Sequence, residues 1–296
     1  MSTPRRADVA VVGLGAIGLP VCVNVANAGF RVQGWNRTRA KGEPAAAAGA
    51  ELVESLRDID APIVLTALTD TPQLLEVLDA GLRSSLRPGD ILVVLSTVLP
   101  SAVKQLGADL GADGIRVVDA PVSGGDVGAW AGTLSIMAGG TEEDVDQCRP
   151  VFAAFGSVIR HLGPLGLGEL AKMCNQIVVG ATIAALGEAL NLGRAGGLAD
   201  DGLLDILAGG LAGSRALDVK RGMLQSGDFT PGGSADNQRK DLIFARQTGE
   251  ALGVRLPVTD AVTVLYDTMV EQGWGGLDHS GVLLVTAPEP SPPAGS

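Results

Sequence analysis

The stretch VAVVGLGAIGLPVCVNVANAGFRVQGWNRTRA, Val9–Ala40, decides how the rest of the chain is read. A β-branched run, Val9–Val12, passes into three glycines, Gly13, Gly15 and Gly18, and then into a helical pattern over Ile17–Ala28. Strand, G-x-G-x-x-G and helix in that order are the context in which such a loop holds a dinucleotide. Gly13 permits the tight turn, Gly15 lets the backbone approach a pyrophosphate, and Gly18 allows the helix to pack closely on the strand. The helix start at Ala16 and Ile17 turns its N–H groups and its positive dipole end toward phosphate. A second strand, Arg31–Trp35, then ends at Asn36, Arg37 and Thr38, where an acidic side chain would accept from a ribose 2′-hydroxyl. A neutral amide, a guanidinium and a hydroxyl, with Arg39 and Lys41 following, suit a 2′-phosphate instead. NADP(H) is therefore expected in preference to NAD(H). A solvated turn that is merely basic would carry the same residues.

Outward from this stretch, β-branched runs at Ile63–Ala67, Ile91–Leu95 and Val117–Asp119 alternate with helical patterns at Gln73–Leu82 and Ser101–Leu110. Such alternation predicts an α/β domain with a doubly wound, parallel Rossmann sheet. Thr133–Ala138 and Val158–His161 read as further strands around a helix at Glu142–Phe155. Beyond about Gly163 the β character fades. Glu169–Ala195, Leu203–Leu207, Ala216–Leu224, Asp236–Gly249 and Pro257–Gln272 read as helices. The expected organisation is a dinucleotide-binding domain at 1–163, an all-α domain at 164–286 joined to it by the long helix, and a disordered Pro-rich tail at 287–296.

Bulk properties narrow the function classes. A net charge of -11, from 22 Lys plus Arg against 33 Asp plus Glu, argues against a nucleic-acid partner. With 3% aromatics, a core must be built mainly from Ala, Val, Leu and Ile. Cys22, Cys148 and Cys174 are odd in number and widely spaced, which predicts small core thiols in a reducing cytoplasm rather than a disulfide framework. The start of the chain lacks the pattern of a signal peptide. Ile177–Ala189 is shorter than a membrane span and reads as a buried helix, so no membrane is expected. His161 and His279 lack metal spacing, and no metal is implied. Asp278 and Ser280 are positioned to cap a short helix.

Three further segments carry a family likeness: DAPVSGG at Asp119–Gly125, GPLGLGELAKMCNQ at Gly163–Gln176, and KDLIFA at Lys240–Ala245. With GLGAIG they resemble, in order and spacing, the signature segments of the β-hydroxyacid dehydrogenases. That family includes 3-hydroxyisobutyrate dehydrogenase and the glyoxylate and semialdehyde reductases. WNRT is most similar to its NADPH-using reductase branch. The likeness covers residues ~8 to ~285 and implies a helical second domain similar to that of 6-phosphogluconate dehydrogenase.

The resemblance implies roles position by position. Lys172 matches the catalytic lysine and Asn175 its substrate-holding partner. Ser123, Gly124 and Gly125 match the segment that binds the substrate carboxylate. Lys240, beside Asp241, matches a lysine that reaches cofactor and substrate. Leu68, Thr69, Ser96 and Thr97 match positions lining the cofactor. These roles agree with elementary chemistry. Lys172 and Asn175, three apart, share a helix face, and an ammonium within reach of a developing alkoxide stabilises it and donates the proton. The turn Pro121–Gly125 offers consecutive N–H groups and a hydroxyl, which suit a carboxylate. The expected activity is NADP(H)-dependent hydride transfer between a short β-hydroxy acid and its semialdehyde or 2-oxo acid, by a homodimer or homotetramer. An imine reductase of similar architecture is the rival, although such enzymes typically replace the catalytic lysine. A non-catalytic dinucleotide-binding protein is a further alternative. The segment GDFTPGGSADNQRKDL departs from the family near Gly233, where a Phe is common, and at Asn237, Gln238 and Arg239, where apolar residues are common. These changes are expected to open or polarise the pocket. Leu95 replaces a frequent acidic residue.

Overall fold

The computed structural model describes residues 6–230 and 232–287. Nearly all of the Pro-rich tail lies outside them. Two compact units divide within the long helix, the first ending at Lys172 and the second starting at Met173.

In the first unit the chain runs β1 (Val9–Val12), α1 (Gly18–Asn27), β2 (Val32–Trp35), α2 (Glu43–Ala47), β3 (Glu51–Leu52), β4 (Ile63–Thr66), α3 (Thr71–Val77), α4 (Arg83–Ser85), β5 (Ile91–Val94), α5 (Pro100–Gly111) and β6 (Arg116–Asp119). The six strands pair in parallel in the order β3-β2-β1-β4-β5-β6, the doubly wound Rossmann arrangement. Side chains alternate across a strand, and here both faces are covered. Val9 and Val11 of β1 enter one apolar cluster, while Ala10 and Val12 enter the other. Val12 is in register with both Trp35 and Thr66, so Gly13, Asn36 and Ala67 leave the sheet side by side. This is where the strand order reverses, and it fixes where a ligand crevice opens.

The expected helix Gln73–Leu82 is interrupted. Asp70 caps α3 by accepting from Gln73 N at 3.0 Å, but a wider turn over Leu78–Leu82, with Gly81 at φ 137°, separates α3 from α4. A three-stranded sheet follows, from β7 (Val122–Ser123), β8 (Leu134–Ala138) and β9 (Gly156–His161), with α6 (Gly125–Trp130) and α7 (Glu142–Phe152) between them. The later strands are thus a separate sheet and do not extend the first. His161 is structural, its Nε2 lying 2.9 Å from Gly140 O and 3.0 Å from Gly163 O.

Helix α8 (Leu167–Ala195) is long and apolar enough to cross a membrane by length and composition. It nevertheless carries buried Glu169, Lys172, Gln176 and Asn191. Asn191 Nδ2 donates to Leu283 O at 2.8 Å and to Thr286 Oγ1 at 2.9 Å. Buried polar groups with protein partners mark α8 as a core helix.

The second unit comprises the rest of α8 with α9 (Asp200–Gly209), α10 (Arg215–Ser226), α11 (Ala235–Ala251), α12 (Pro257–Glu271) and a 3-10 turn at His279–Leu284. Gly187 lets that turn approach α8, since a Cβ there would lie 3.0 Å from Leu283 Cα. Cys22 and Cys148 are buried, and burial pushes both thiols up to about 12. Cys174 corrects the expectation of three core thiols. It is exposed, because α8 buries its neighbours Met173 and Gln176 on another side.

Asp278, fully buried, ties the turn to α10 and to the loop before α11. It accepts from Lys220 Nζ at 2.6 Å, Gly233 N at 3.1 Å and Ser280 N at 2.9 Å, the last being the cap expected from the sequence. Burial opposes its ionisation, yet His279, Lys220 and Ser280 together hold the carboxyl at about 2, below the usual carboxylate range. A depressed carboxyl stabilises the fold above its unfolded pKa, and that contribution disappears as pH falls toward the folded value. Urea unfolding between pH 5 and pH 2 is expected to cost the wild type about 2 kcal/mol more than Asp278→Asn. Asp278→Ala, which strands the Lys220 ammonium, is expected to lose about 3–5 kcal/mol at neutral pH.

Candidate active site

The glycine loop is shaped by two different constraints. Gly13 has φ 93°, and a Cβ there would lie 2.5 Å from Ala67 O. A Cβ on Gly18 would lie 1.8 Å from Gly13 O. Both glycines are demanded by the protein's own packing. Gly15 is exposed and a Cβ would meet nothing within 4 Å, so the chain's own packing does not require a glycine there and the space beside it is open to a group from outside. The loop therefore fits a pyrophosphate laid against Gly15 and the N-terminus of α1. Ala16 is also exposed and Ile17 is half-buried. Gly18→Ala is expected to destabilise the protein by about 3 kcal/mol or more, because backbone blocks the new methyl. Gly15→Ala is expected to leave chemical unfolding unchanged while weakening NADPH binding roughly ten-fold by titration.

Asn36 has a structural task. Its Oδ1 accepts from Leu14 N at 2.9 Å and its Nδ2 donates to Thr38 O at 2.9 Å, which ties the glycine loop to the turn after β2. An amide does both, whereas a carboxylate only accepts. Arg37 and Thr38 are exposed beside it. Arg39 is committed elsewhere, paired with Glu54 at 3.0 Å and donating to Leu52 O. Lys41 lines an open hollow of about 490 Å³ with Leu14, Gly15, Ala16, Glu43 and Trp130.

The loops after β4 and β5 meet where Leu68 N donates to Ser96 Oγ at 2.8 Å. Ser96 is buried, Leu68 and Thr97 are half-buried, and Thr69 is exposed. Val98 N donates to Glu169 Oε2 at 3.2 Å, which fixes this segment to the first turn of α8.

Asp119, at the end of β6, has a role that sequence reading missed. Its buried carboxylate accepts from Gly166 N at 2.8 Å and Glu169 N at 2.7 Å, capping α8. Burial raises its pKa against those hydrogen bonds. Gly168 lies tight against this cap, since a Cβ there would lie 2.2 Å from Met137 O and 2.8 Å from Asp119 Oδ2. Lys172, one turn further on, is only 7% exposed and its Nζ donates to Val122 O at 2.8 Å. That carbonyl immediately precedes Ser123, Gly124 and Gly125. These three do not form the simple turn expected. Ser123 is half-buried in β7, and Gly124, exposed at φ 136°, is the N-cap of α6.

In the second unit Asn175, half-buried on α8, donates from Nδ2 to Gln176 Oε1 at 3.0 Å. On α11, Lys240 Nζ lies 3.3 Å from Asp241 Oδ1 and 5.4 Å from the centre of the Phe244 ring. The three polar residues before Lys240 sit in different surroundings. Helical periodicity leaves Asn237 exposed and sends Arg239 to Asp267, whereas Gln238 alone is buried, bonded to Gln176. Among the described residues no group of three or more His, Cys, Asp or Glu side chains is gathered as a metal site.

The chain is similar to known proteins along most of its length. Residues 8–163 match the family described as the NAD binding domain of 6-phosphogluconate dehydrogenase. Residues 166–286 match the family described as NAD-binding of NADP-dependent 3-hydroxyisobutyrate dehydrogenase. The chain is 33% identical to 2-(hydroxymethyl)glutarate dehydrogenase of Eubacterium barkeri, over 95% of each chain. It is 34% identical to 2-hydroxy-3-oxopropionate reductase of Escherichia coli, over 92% of this chain and 94% of that one. The crystal structure of 3-hydroxyisobutyrate dehydrogenase from Salmonella typhimurium superimposes with a TM-score of 0.88 at 27% identity, covering 94% of this chain and 99% of that one. The chain therefore belongs to the β-hydroxyacid dehydrogenase family, the NAD(P)-dependent oxidoreductases that act on the CH–OH group of hydroxy acids.

Proposed function

We propose that this chain is an NADP(H)-dependent dehydrogenase or reductase of a short β-hydroxy acid and its semialdehyde or 2-oxo acid, with Lys172 as general acid and base. The observation that carries the reading is a buried lysine whose Nζ is held 2.8 Å from the Val122 carbonyl, next to the Ser123–Gly125 segment, in a unit that also holds the glycine loop. When bound, the nicotinamide supplies or accepts the hydride. Gly13–Gly18 hold the pyrophosphate, with Leu68, Thr69, Ser96 and Thr97 along the cofactor. Arg37, Thr38 and Lys41 meet the 2′-phosphate, while Asn36 holds their turn in place. Lys172 donates a proton to the carbonyl oxygen in reduction, and its neutral amine takes the hydroxyl proton in oxidation. Ser123, Gly124 and Gly125 receive the substrate carboxylate, and Asn175 and Lys240 orient the substrate.

The names of the relatives support a hydroxy-acid or oxo-acid substrate. The exposed Val178, Leu192, Ile206 and Leu211 of the helical unit support assembly with further copies of the chain, as a dimer or tetramer measurable by light scattering. The three free thiols support a reducing, cytoplasmic setting. The deciding experiment assays NADPH and NADH with glyoxylate, succinic semialdehyde, 2-hydroxy-3-oxopropionate and a cyclic imine. The reverse assay uses 3-hydroxyisobutyrate and 2-(hydroxymethyl)glutarate with the oxidised cofactors. Turnover of an acid or semialdehyde is expected. Reduction of the imine alone would replace this reading with the imine reductase.

A further inference from the structure

Resting on that reading of Asn175, we infer that Gln176, clamped by Asp241 and Gln238, is a positioning residue that sets which end of the Asn175 amide faces the substrate. All four side chains belong to the helical unit. Gln176 Nε2 donates to Asp241 Oδ2 at 2.8 Å and to Gln238 Oε1 at 3.3 Å. Gln238 is pinned in turn, with its Nε2 donating to the Gln176 backbone carbonyl at 3.2 Å. His279 Nδ1 lies 3.2 Å from Gln238 Oε1, which makes that nitrogen the donor.

The chain of bonds has a direction, and Asp241 sets it. Beside the Lys240 ammonium, this carboxylate only accepts, so Gln176 must turn its NH₂ toward it. The Gln176 carbonyl oxygen then faces Asn175, which must answer with Nδ2. Asn175 therefore presents Oδ1 at its opposite edge. That oxygen is an acceptor, suited to a substrate hydroxyl or ammonium and unsuited to a substrate carboxylate. Gln176, Gln238 and Asp241 are 8%, 2% and 5% exposed, so no solvent competes to relax the direction. Gln238, a departure from the apolar residue common in the family, thus supports Asn175 through Gln176.

The test is a double-mutant cycle on the full-length protein, read on the best-turned-over substrate of the panel above. Asn175→Ala is expected to lower kcat strongly. Gln176→Leu alone is expected to lower kcat roughly 10- to 100-fold, the scale of a misplaced reacting group, with the NADPH dissociation constant unchanged. In the Asn175→Ala background Gln176→Leu is expected to change kcat no further. Gln238→Leu keeps the Asp241–Gln176 bond, and it is expected to give a smaller fall with the same loss of additivity. It carries the test if Gln176→Leu does not fold. If Asn175→Ala is fully active, the role of Asn175 itself fails and this inference with it. If Asn175→Ala is crippled but the glutamine variants are wild-type in kcat, change KM alone, or add in full to Asn175→Ala, only the positioning role is overturned.

Discussion

Lys172→Ala is expected to lose about a thousand-fold in kcat while binding NADPH as tightly as the wild type, because its ammonium would no longer deliver the proton. The geometry makes the effect large. Lys172 is almost wholly buried, and the first turn of α8, just before it, is fixed twice, by the Asp119 cap and by Glu169 on Val98 N. An ammonium so held needs little reorganisation when charge develops on the substrate oxygen, and bulk water does not replace it at that position. Lys172→Met keeps most of the buried volume and should be as inactive as Lys172→Ala, which separates proton transfer from packing. Lys172→Arg should not rescue oxidation, because a guanidinium does not give up its proton at neutral pH. Steady-state rates with parallel cofactor titration decide the matter. A Lys172→Met enzyme with wild-type kcat would remove the lysine from the chemistry.

The parts of this site that could be read from sequence are those whose cause is local. Gly13, Gly15 and Gly18 follow a strand and open a helix within ten residues, so their spacing carries the turn geometry by itself. The capping function of Asp119 was invisible because its partners lie 47 and 50 residues away, and a lone Asp at a strand end is commonplace. The Gln176–Gln238 contact spans 62 residues, and nothing in NQRKDL says which of Asn237, Gln238 and Arg239 points inward. Pattern also failed where elements are too short to show a period. β3 and β7 have two residues each, and β7 turned an expected turn into a strand edge. The exposed Cys174 is the same failure on a helix, since α8 is apolar on more than one side and only its neighbours choose the buried face.

Cofactor choice is the second large effect expected. Arg37→Ala should raise the KM for NADPH roughly 10- to 100-fold and leave that for NADH nearly unchanged. That range corresponds to a charge-assisted hydrogen bond of about 1.5–3 kcal/mol. The exposure of Arg37 tempers the figure and makes it salt-dependent, so the discrimination should shrink as ionic strength rises. Asn36→Asp tests the same turn from the other side. A carboxylate there could still accept from Leu14 N, so the glycine loop should hold. It would also face the Thr38 carbonyl that Asn36 Nδ2 now satisfies, and it would repel a 2′-phosphate. The variant should therefore move toward NADH by losing NADPH, with less gain than a turn built around an acid would show. Arg39→Ala is the control, because its guanidinium is already spent on Glu54 and Leu52 O and should scarcely change the ratio of kcat/KM values. A wild-type enzyme that prefers NADH, or an Arg37→Ala variant that loses both cofactors equally, would mean that the basic turn does not read the phosphate.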